Sequence, residues 1–208
     1  MITFAPEIGA RHAPTRRFAI GEREVLVFDD LFANKTLRVL YQQMRASHFH
    51  WGAYDSMTPP DRHAVRWRAD IAAAAAKLPF FEDVIALVSQ ITTPRLVLDR
   101  IYVNFNVYGE VHHAHVDAPD GATALFCANL EWEPEWQGET VFYDGAEPSH
   151  VVAPRPGRLI VFDGSLRHRG SPPARDCFEP RINIAFKFLP RTSSHKRPSP
   201  AARVVRMA

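Results

Sequence analysis

The sequence predicts a mainly β protein with flanking N-terminal helices, built on a double-stranded β-helix, or jelly-roll, core. Two observations predict it. From Pro94 onward, apolar and polar residues alternate in short runs separated by turn residues. Before Pro94, apolar residues recur at helical spacing. Many short strands at this spacing point to a sandwich or jelly roll, because each strand has one face to bury.

Taken in order, residues 1–17 read as irregular, with Pro6, Gly9 and Pro14. Glu24–Phe28 alternates and is rich in β-formers. Asn34 is placed to cap a helix over residues 35–46, where Leu37, Leu40, Tyr41 and Met44 fall at i, i+3, i+4 and i+7. Ala69–Leu78 is helix-prone through its run Ala72–Ala76. Pro79 interrupts it, and Phe81–Ile91 resumes with Val84, Ile85 and Val88 on one face. These helices are expected to buttress a sheet. The strand-like runs that follow are Leu96–Val107, Thr123–Leu130, Glu139–Tyr143, His150–Val152, Arg158–Phe162 and Arg181–Leu189. Turn signals such as Pro119-Asp120-Gly121, Asp144-Gly145 and Asp163-Gly164 separate them.

A length of 208 residues suits a single buried core. The expected organisation is one domain over residues 1–208, with a helical buttress over about 30–92, a jelly-roll core over about 94–190 and a basic tail over 191–208. No apolar run approaches a membrane span, so no membrane partner is expected. The start, Met1–Pro6, lacks a charged segment followed by an apolar one, which argues against secretion. The two cysteines, Cys127 in an apolar run and Cys177 in a loop-like one, fit a reduced cytoplasmic protein better than a disulfide scaffold. The formal charge of +2 hides an asymmetry: Arg191, Lys196, Arg197, Arg203 and Arg206 leave residues 1–190 at −3. The tail reads either as an arm for an anionic partner or as a solvated end, and its serines and prolines favour the second.

The chemistry centres on His115-Val116-Asp117, with His168 and Arg181 downstream. Two imidazoles and one carboxylate are the donor set of a mononuclear non-haem Fe(II) site. A strand returns side chains to one face every second residue, so His115 and Asp117 can serve as ligands from one strand end. His168 lies between two strand-like runs and supplies the third donor. Arg181 adds a cation suited to holding a carboxylate bidentately. His115 alone would read as an ordinary satisfied histidine; the ordered set does not. His112 and His113 lack a carboxylate two residues on and read as groups around the metal or facing substrate.

Over about residues 96–190 the chain resembles the Fe(II)/2-oxoglutarate dioxygenases, particularly the prolyl-4-hydroxylase-like branch. Gly109 stands six residues before His115, as in that branch's G-x-x-x-x-x-H-x-D turn. Glu135–Gly145, "EWQGETVFYDG", resembles its G-G-E-T-x-F strand, with Gln137 in place of the first glycine. Ala153–Gly164, "APRPGRLIVFDG", resembles the P-x-x-G-x-L-x-x-F strand before the distal histidine. Pro180–Phe188, "PRINIAFKF", resembles the strand that bears the cosubstrate arginine, 13 residues after His168.

The resemblance implies Fe(II) held by His115, Asp117 and His168, 2-oxoglutarate as cosubstrate with its C5 carboxylate on Arg181, O2 as oxidant, and succinate and CO2 as products. It implies further cosubstrate contacts at Asn104, Asn183, Asn129 and Thr140. For each asparagine the competing reading is a turn or strand-edge hydrogen bond. Lys187 replaces an arginine of the related AlkB-type strand R-x-N-x-x-x-R and lacks its bidentate fork.

For substrate, His48–Arg68 is rich in aromatic and cationic residues: Trp51, Tyr54, Arg62, Arg66, Trp67 and Arg68. It reads either as a loop selecting an anionic or planar substrate or as a packed tryptophan pair with solvated arginines. The polar loop Ala118–Thr123 is a second candidate. The leading reading is a hydroxylase acting on a small molecule or an amino-acid residue. A nucleic-acid demethylase is the alternative, suggested by Asn104 and the final strand; the acidic body argues against a nucleic-acid partner. A silent jelly-roll binding module is the third reading, and the complete donor set argues against it.

Overall fold

The computed structural model describes residues 2–6, 8, 12–53, 66–71 and 77–191. Its strands are β1 (Thr3–Phe4), β2 (Arg16–Ile20), β3 (Arg23–Phe28), β4 (His50–Ala53), β5 (Arg66–Asp70), β6 (Thr92–Thr93), β7 (Leu96–Asn106), β8 (Ala122–Cys127), β9 (Thr140–Asp144), β10 (Glu147–Val152), β11 (Leu159–Asp163), β12 (His168–Gly170) and β13 (Arg181–Pro190). Two helices, α1 (Asn34–Arg45) and α2 (Pro79–Ile91), precede the long strand β7. Eight strands form the large sheet in the order β2-β3-β11-β8-β13-β7-β5-β4, and β10-β9-β12 form a smaller one. Their ladders are antiparallel. This is the expected mainly β jelly-roll architecture with helices on the N-terminal side.

Period-two alternation sends side chains of each strand to two cores. On one face of the large sheet, Phe126, Ile182, Ile184 and Phe186 pack beneath the helices. The helices meet them with Leu37, Leu40 and Met44 of α1 and Phe80, Val84 and Val88 of α2. On the other face, Val25, Val27, Ile160 and Phe162 close against Phe142, Val152 and Leu166. Burying a large apolar side chain stabilises by about 1.5–3 kcal/mol, so these two layers hold the scaffold on which the polar residues are mounted.

Several elements differ from expectation. Asn34 is the first helical residue; Ala33 occupies the cap without a side-chain hydrogen bond. Pro79 opens α2 at its first turn instead of interrupting a helix, because the first helical N–H needs no intrahelical acceptor. Ala69 and Asp70 end strand β5, so a helix does not begin there; residues 72–76 of that expected helix lie outside the described residues. Strands β4 and β5 interrupt the stretch expected to be helical buttress. Arg16 and Arg17, expected to belong to the irregular stretch 1–17, instead open β2, which pairs with β3. Among the described residues no helix is long and apolar enough to cross a membrane.

Candidate active site

The donor triad forms where the two sheets approach each other. His115 bridges to His168: the His115 N–H donates to the His168 carbonyl at 2.9 Å, and the reverse bond is also 2.9 Å. The backbone N–H of Asp117 then donates to the Gly164 carbonyl at 3.0 Å. Only glycine fits at 164, since a Cβ there would stand 2.5 Å from the Ala118 carbonyl oxygen. The turn leading to His168 is held by Asp163, whose carboxylate accepts from the Ser165 N–H at 2.8 Å. Backbone pairing, not side-chain proximity in sequence, thus brings residues 115, 117 and 168 together.

The side chains are aimed as well as placed. Nδ1 of His115 bonds the His113 carbonyl at 3.0 Å, and Nδ1 of His168 bonds the Leu166 carbonyl at 2.8 Å. A carbonyl only accepts, so each Nδ1 carries the proton and each Nε2 keeps its lone pair. Those two nitrogens lie 3.7 and 3.4 Å from the Asp117 carboxylate oxygens. One ligand atom from each of the three residues falls within 4.8 Å of the others. Phe162 packs edge-on against the His168 ring, with centroids 4.6 Å apart.

Asp117 is held from the large sheet. Lys187 of β13 bonds Oδ2, and Thr123 of β8 donates to the same oxygen at 2.5 Å. Burial, the largest single influence, pushes the Asp117 carboxyl up, but the charges of Lys187, His168 and His115 and the Lys187 hydrogen bond together outweigh it and hold the group well below the usual carboxylate range. Burial first, and then the charge of His168, lower His115 to about 3, so it is a neutral donor near pH 7. Two imidazoles and one carboxylate fit a divalent iron. Lys187, read from sequence as a weakened cosubstrate contact, instead orients the carboxylate. Its position six residues after Arg181 on one strand face was the available signal.

Arg181 opens β13 and is buried. Its Nη2 donates to Thr140 Oγ1 at 3.1 Å and its Nη1 to Asn106 Oδ1 at 3.4 Å. With its amide oxygen turned toward the guanidinium, Asn183 accepts from Nη2 at 3.3 Å. Gly170 leaves room for the group: a Cβ there would lie 2.9 Å from Nη1. Leu125, Cys127, Thr140, Ile160, Arg181 and Asn183 line a narrow cavity at this point. A fixed guanidinium in an apolar-walled recess fits the distal carboxylate of a dicarboxylic cosubstrate. A larger concavity of about 420 Å³ lies against α2, bounded by Phe32, Asp83 and Leu87, and holds none of these groups.

Asn129 departs from expectation. Its Nδ2 donates to the Pro180 carbonyl at 2.8 Å, and its Oδ1 accepts from the Ile182 N–H at 2.9 Å. Both ends of the amide grip the backbone on either side of Arg181, so Asn129 positions that arginine, as the competing backbone-bonding reading expects. Asn104 is buried on β7, paired with Asn183, and its Oδ1 has no hydrogen-bond partner. His112 is no ligand: its Nε2 meets Glu110 Oε2 at 3.0 Å, and Asn106 donates to that same oxygen at 3.1 Å. This buried link from residue 112 to Arg181 was invisible in the sequence. Trp51 and Trp67 pack together with rings 5.4 Å apart, so the packed-pair reading holds for them. Tyr54, Arg62 and the Thr58–Pro60 turn lie outside the described residues, as do residues 192–208 of the tail.

Residues 103–188 match the family model of the 2OG-Fe(II) oxygenase superfamily. This stretch belongs to that superfamily. It contains all three triad residues and Arg181. No curated protein matches the chain by sequence. Solved structures share the chain's fold. A prolyl-4-hydroxylase from Pseudomonas putida is similar at a TM-score of 0.58 and 16% identity, over 82% of this chain and 95% of that one. A Trichoplax adhaerens prolyl hydroxylase, solved with a hypoxia inducible factor peptide fragment, gives 0.57 and 17%, over 79% and 83%. HygX from Streptomyces hygroscopicus, solved with nickel, 2-oxoglutarate and hygromycin B, gives 0.55 and 13%, over 80% and 82%.

Proposed function

We propose that His115, Asp117 and His168 are the iron ligands, that Arg181 binds the C5 carboxylate of 2-oxoglutarate, and that the oxygenase hydroxylates a C–H bond of a small molecule. The observation that supports this best is the convergence of two Nε2 atoms and one carboxylate within 4.8 Å, with both Nδ1 atoms tied to carbonyls. Iron and 2-oxoglutarate, when bound, supply the oxidising chemistry, with succinate and CO2 released. The chain's own part is positional. Thr123 and Lys187 orient the Asp117 carboxylate. Thr140, Asn106 and Asn183 set the guanidinium of Arg181, and Asn129 sets the backbone beneath it. Phe162 and Phe142 wall the apolar side of His168 and exclude water there.

The peptide- and antibiotic-bound relatives bracket the substrate classes this fold accepts. The small-molecule assignment within that range is our reading. Both cysteines are free thiols, which supports a reducing, cytoplasmic setting. The test is anaerobic addition of Fe(II) and 2-oxoglutarate, followed by visible absorption and then succinate release in air. A charge-transfer band and succinate are expected from the natural chain, and neither from His168→Ala. A fully active His168→Ala enzyme sinks the ligand assignment.

A further inference from the structure

The large sheet continues past β7 into β5 and β4, and its inner face there carries a polar row. His50, Arg68, Asn104, Asn183 and Cys127 are cross-strand partners in sequence along that row. Arg68 is thereby on the same face as Arg181 and Lys187, whereas Trp51 and Trp67 are on the opposite face. The Arg68 guanidinium lies over the Tyr102 ring, 4.9 Å from its centroid. Lys187 and Arg100 flank the same ring at 5.8 and 5.7 Å. Through Lys187 the ring is linked to Asp117, so this edge adjoins the metal site.

Three cations share one ring, and the nearby acids balance them unevenly. Asp117 is bound to Lys187. Asp70 approaches Arg68 only to 3.8 Å, with 69% of its side chain exposed. Among the described residues, Arg68 Nε and Asn104 Oδ1 are both buried without a hydrogen-bond partner. A buried, unmade hydrogen bond costs about 1–3 kcal/mol, and more for a charged group. The Nε edge of a guanidinium offers two parallel N–H groups that match a carboxylate. Asn104 Oδ1 needs a donor, and 2-oxoglutarate as a dianion brings only acceptors. Cross-strand side chains stand about 5 Å apart, a span that one small zwitterion can bridge.

We propose that Arg68, Asn104 and Tyr102 anchor the substrate, and that the substrate is a small acid with a hydrogen-bond donor beside its carboxylate, as in a free α-amino acid. Arg68 takes the carboxylate, Asn104 Oδ1 takes the donor, and Tyr102 keeps the guanidinium flat and in place. The anchor rests on the oxygenase reading above and names the substrate class of that site.

The experiment measures substrate-stimulated succinate release by the full chain with Fe(II), over the common free L-amino acids. Each is run beside its primary amide and its des-amino acid. At least one free acid should stimulate release, with its amide about tenfold poorer or worse in KM and the des-amino acid weaker by a few fold. Arg68→Ala should raise the KM for that acid by about tenfold or more, and Arg68→Lys should recover part of it, while the KM for 2-oxoglutarate moves less than about twofold. The acid–amide comparison needs no variant, so a poorly folding Arg68→Ala does not blunt the test. An amide equal to its acid, a panel in which no free acid stimulates, or an unchanged KM in Arg68→Ala overturns the anchor. An equal des-amino acid overturns the Asn104 part. If the natural chain gives neither substrate-free succinate nor the Fe(II)–2-oxoglutarate band, the oxygenase reading falls and the anchor falls with it.

Discussion

The inner face of the large sheet has two halves of opposite character. One register row across β2, β3, β11, β8, β13 and β7 reads Phe18, Val25, Phe162, Thr123, Lys187 and Arg100. At its apolar end the row is closed by the smaller sheet; at its polar end Thr123 and Lys187 hold the Asp117 carboxylate. The apolar half gains stability from burial. The polar half loses it, because charges taken from water recover their hydration only through well-placed partners. The halves meet at His168, which has Phe162 on one side and Asp117 on the other. The chemistry is therefore set where the scaffold stops supplying apolar surface, and it leans on the half that still does.

Removing a ligand should break the polar half most completely. His168→Ala and Asp117→Ala are expected to lose the Fe(II)–2-oxoglutarate band and all turnover while keeping the fold, as circular dichroism would show. In the apolar half, Phe142→Ala should cost about 3–5 kcal/mol of stability in urea unfolding. A loss of stability in His168→Ala as large as that of Phe142→Ala would erase the distinction between the halves.

Arg181→Ala removes one partner of a desolvated charge pair, which costs about 2–5 kcal/mol, or roughly 30- to several-thousand-fold in affinity. The 2-oxoglutarate requirement should rise by that range, with iron affinity little changed. An unaltered requirement would assign the carboxylate to another cation. Lys187→Met should weaken iron binding by about 10- to 100-fold, the usual cost of losing a group that orients a ligand. Equilibrium iron titration reads this directly, and an unchanged Kd would make Lys187 a packing residue only.

Per pH unit, the smallest effect is on pH dependence. His115 titrates at about 3 in the folded chain, lowered by burial and then by His168, against 6.5 ordinarily. Between those values the unfolded chain binds more protons, so the iron-free protein should lose stability as pH falls from 6.5 toward 3. The slope is at most about 1.4 kcal/mol per pH unit from this one group. Asp117, also held low, adds in the same direction once pH falls below the ordinary carboxylate range. Urea unfolding at successive pH values measures it; a stability that rises on acidification contradicts it.

Much of this was legible in the residues. The triad and Arg181 stand out because few chemistries use two histidines, a carboxylate and a buried arginine in that order. The strands β7 and β13 stand out because period-two alternation survives in them, and β8 and β11 because they are short apolar runs bounded by turn residues. The partners of these residues were not legible. Lys187 was weighed against 2-oxoglutarate and meets Asp117; Asn129 was weighed as a cosubstrate contact and grips the backbone around Arg181. The strands β2, β4 and β5 were missed because they lie at or near the edge of the sheet, where one face need not be apolar and the alternation is weak. Arg68 was one cation among several in a mixed segment until its pairing with Asn104 put it on the active face.

The sequence by itself determined the donor set, the parity of side chains along each strand and the two apolar cores, since each depends on residues only a few positions apart. Only the tertiary structure decided which donors face one another: Thr123 and Lys187 beside Asp117, Thr140 beside Arg181, Arg68 beside Asn104. Those contacts depend on strand order and register. Both are set by burial summed over the whole sheet, between residues as far apart as Val25 and Phe162, and a shift of one residue in any ladder would turn the same side chains to the opposite face.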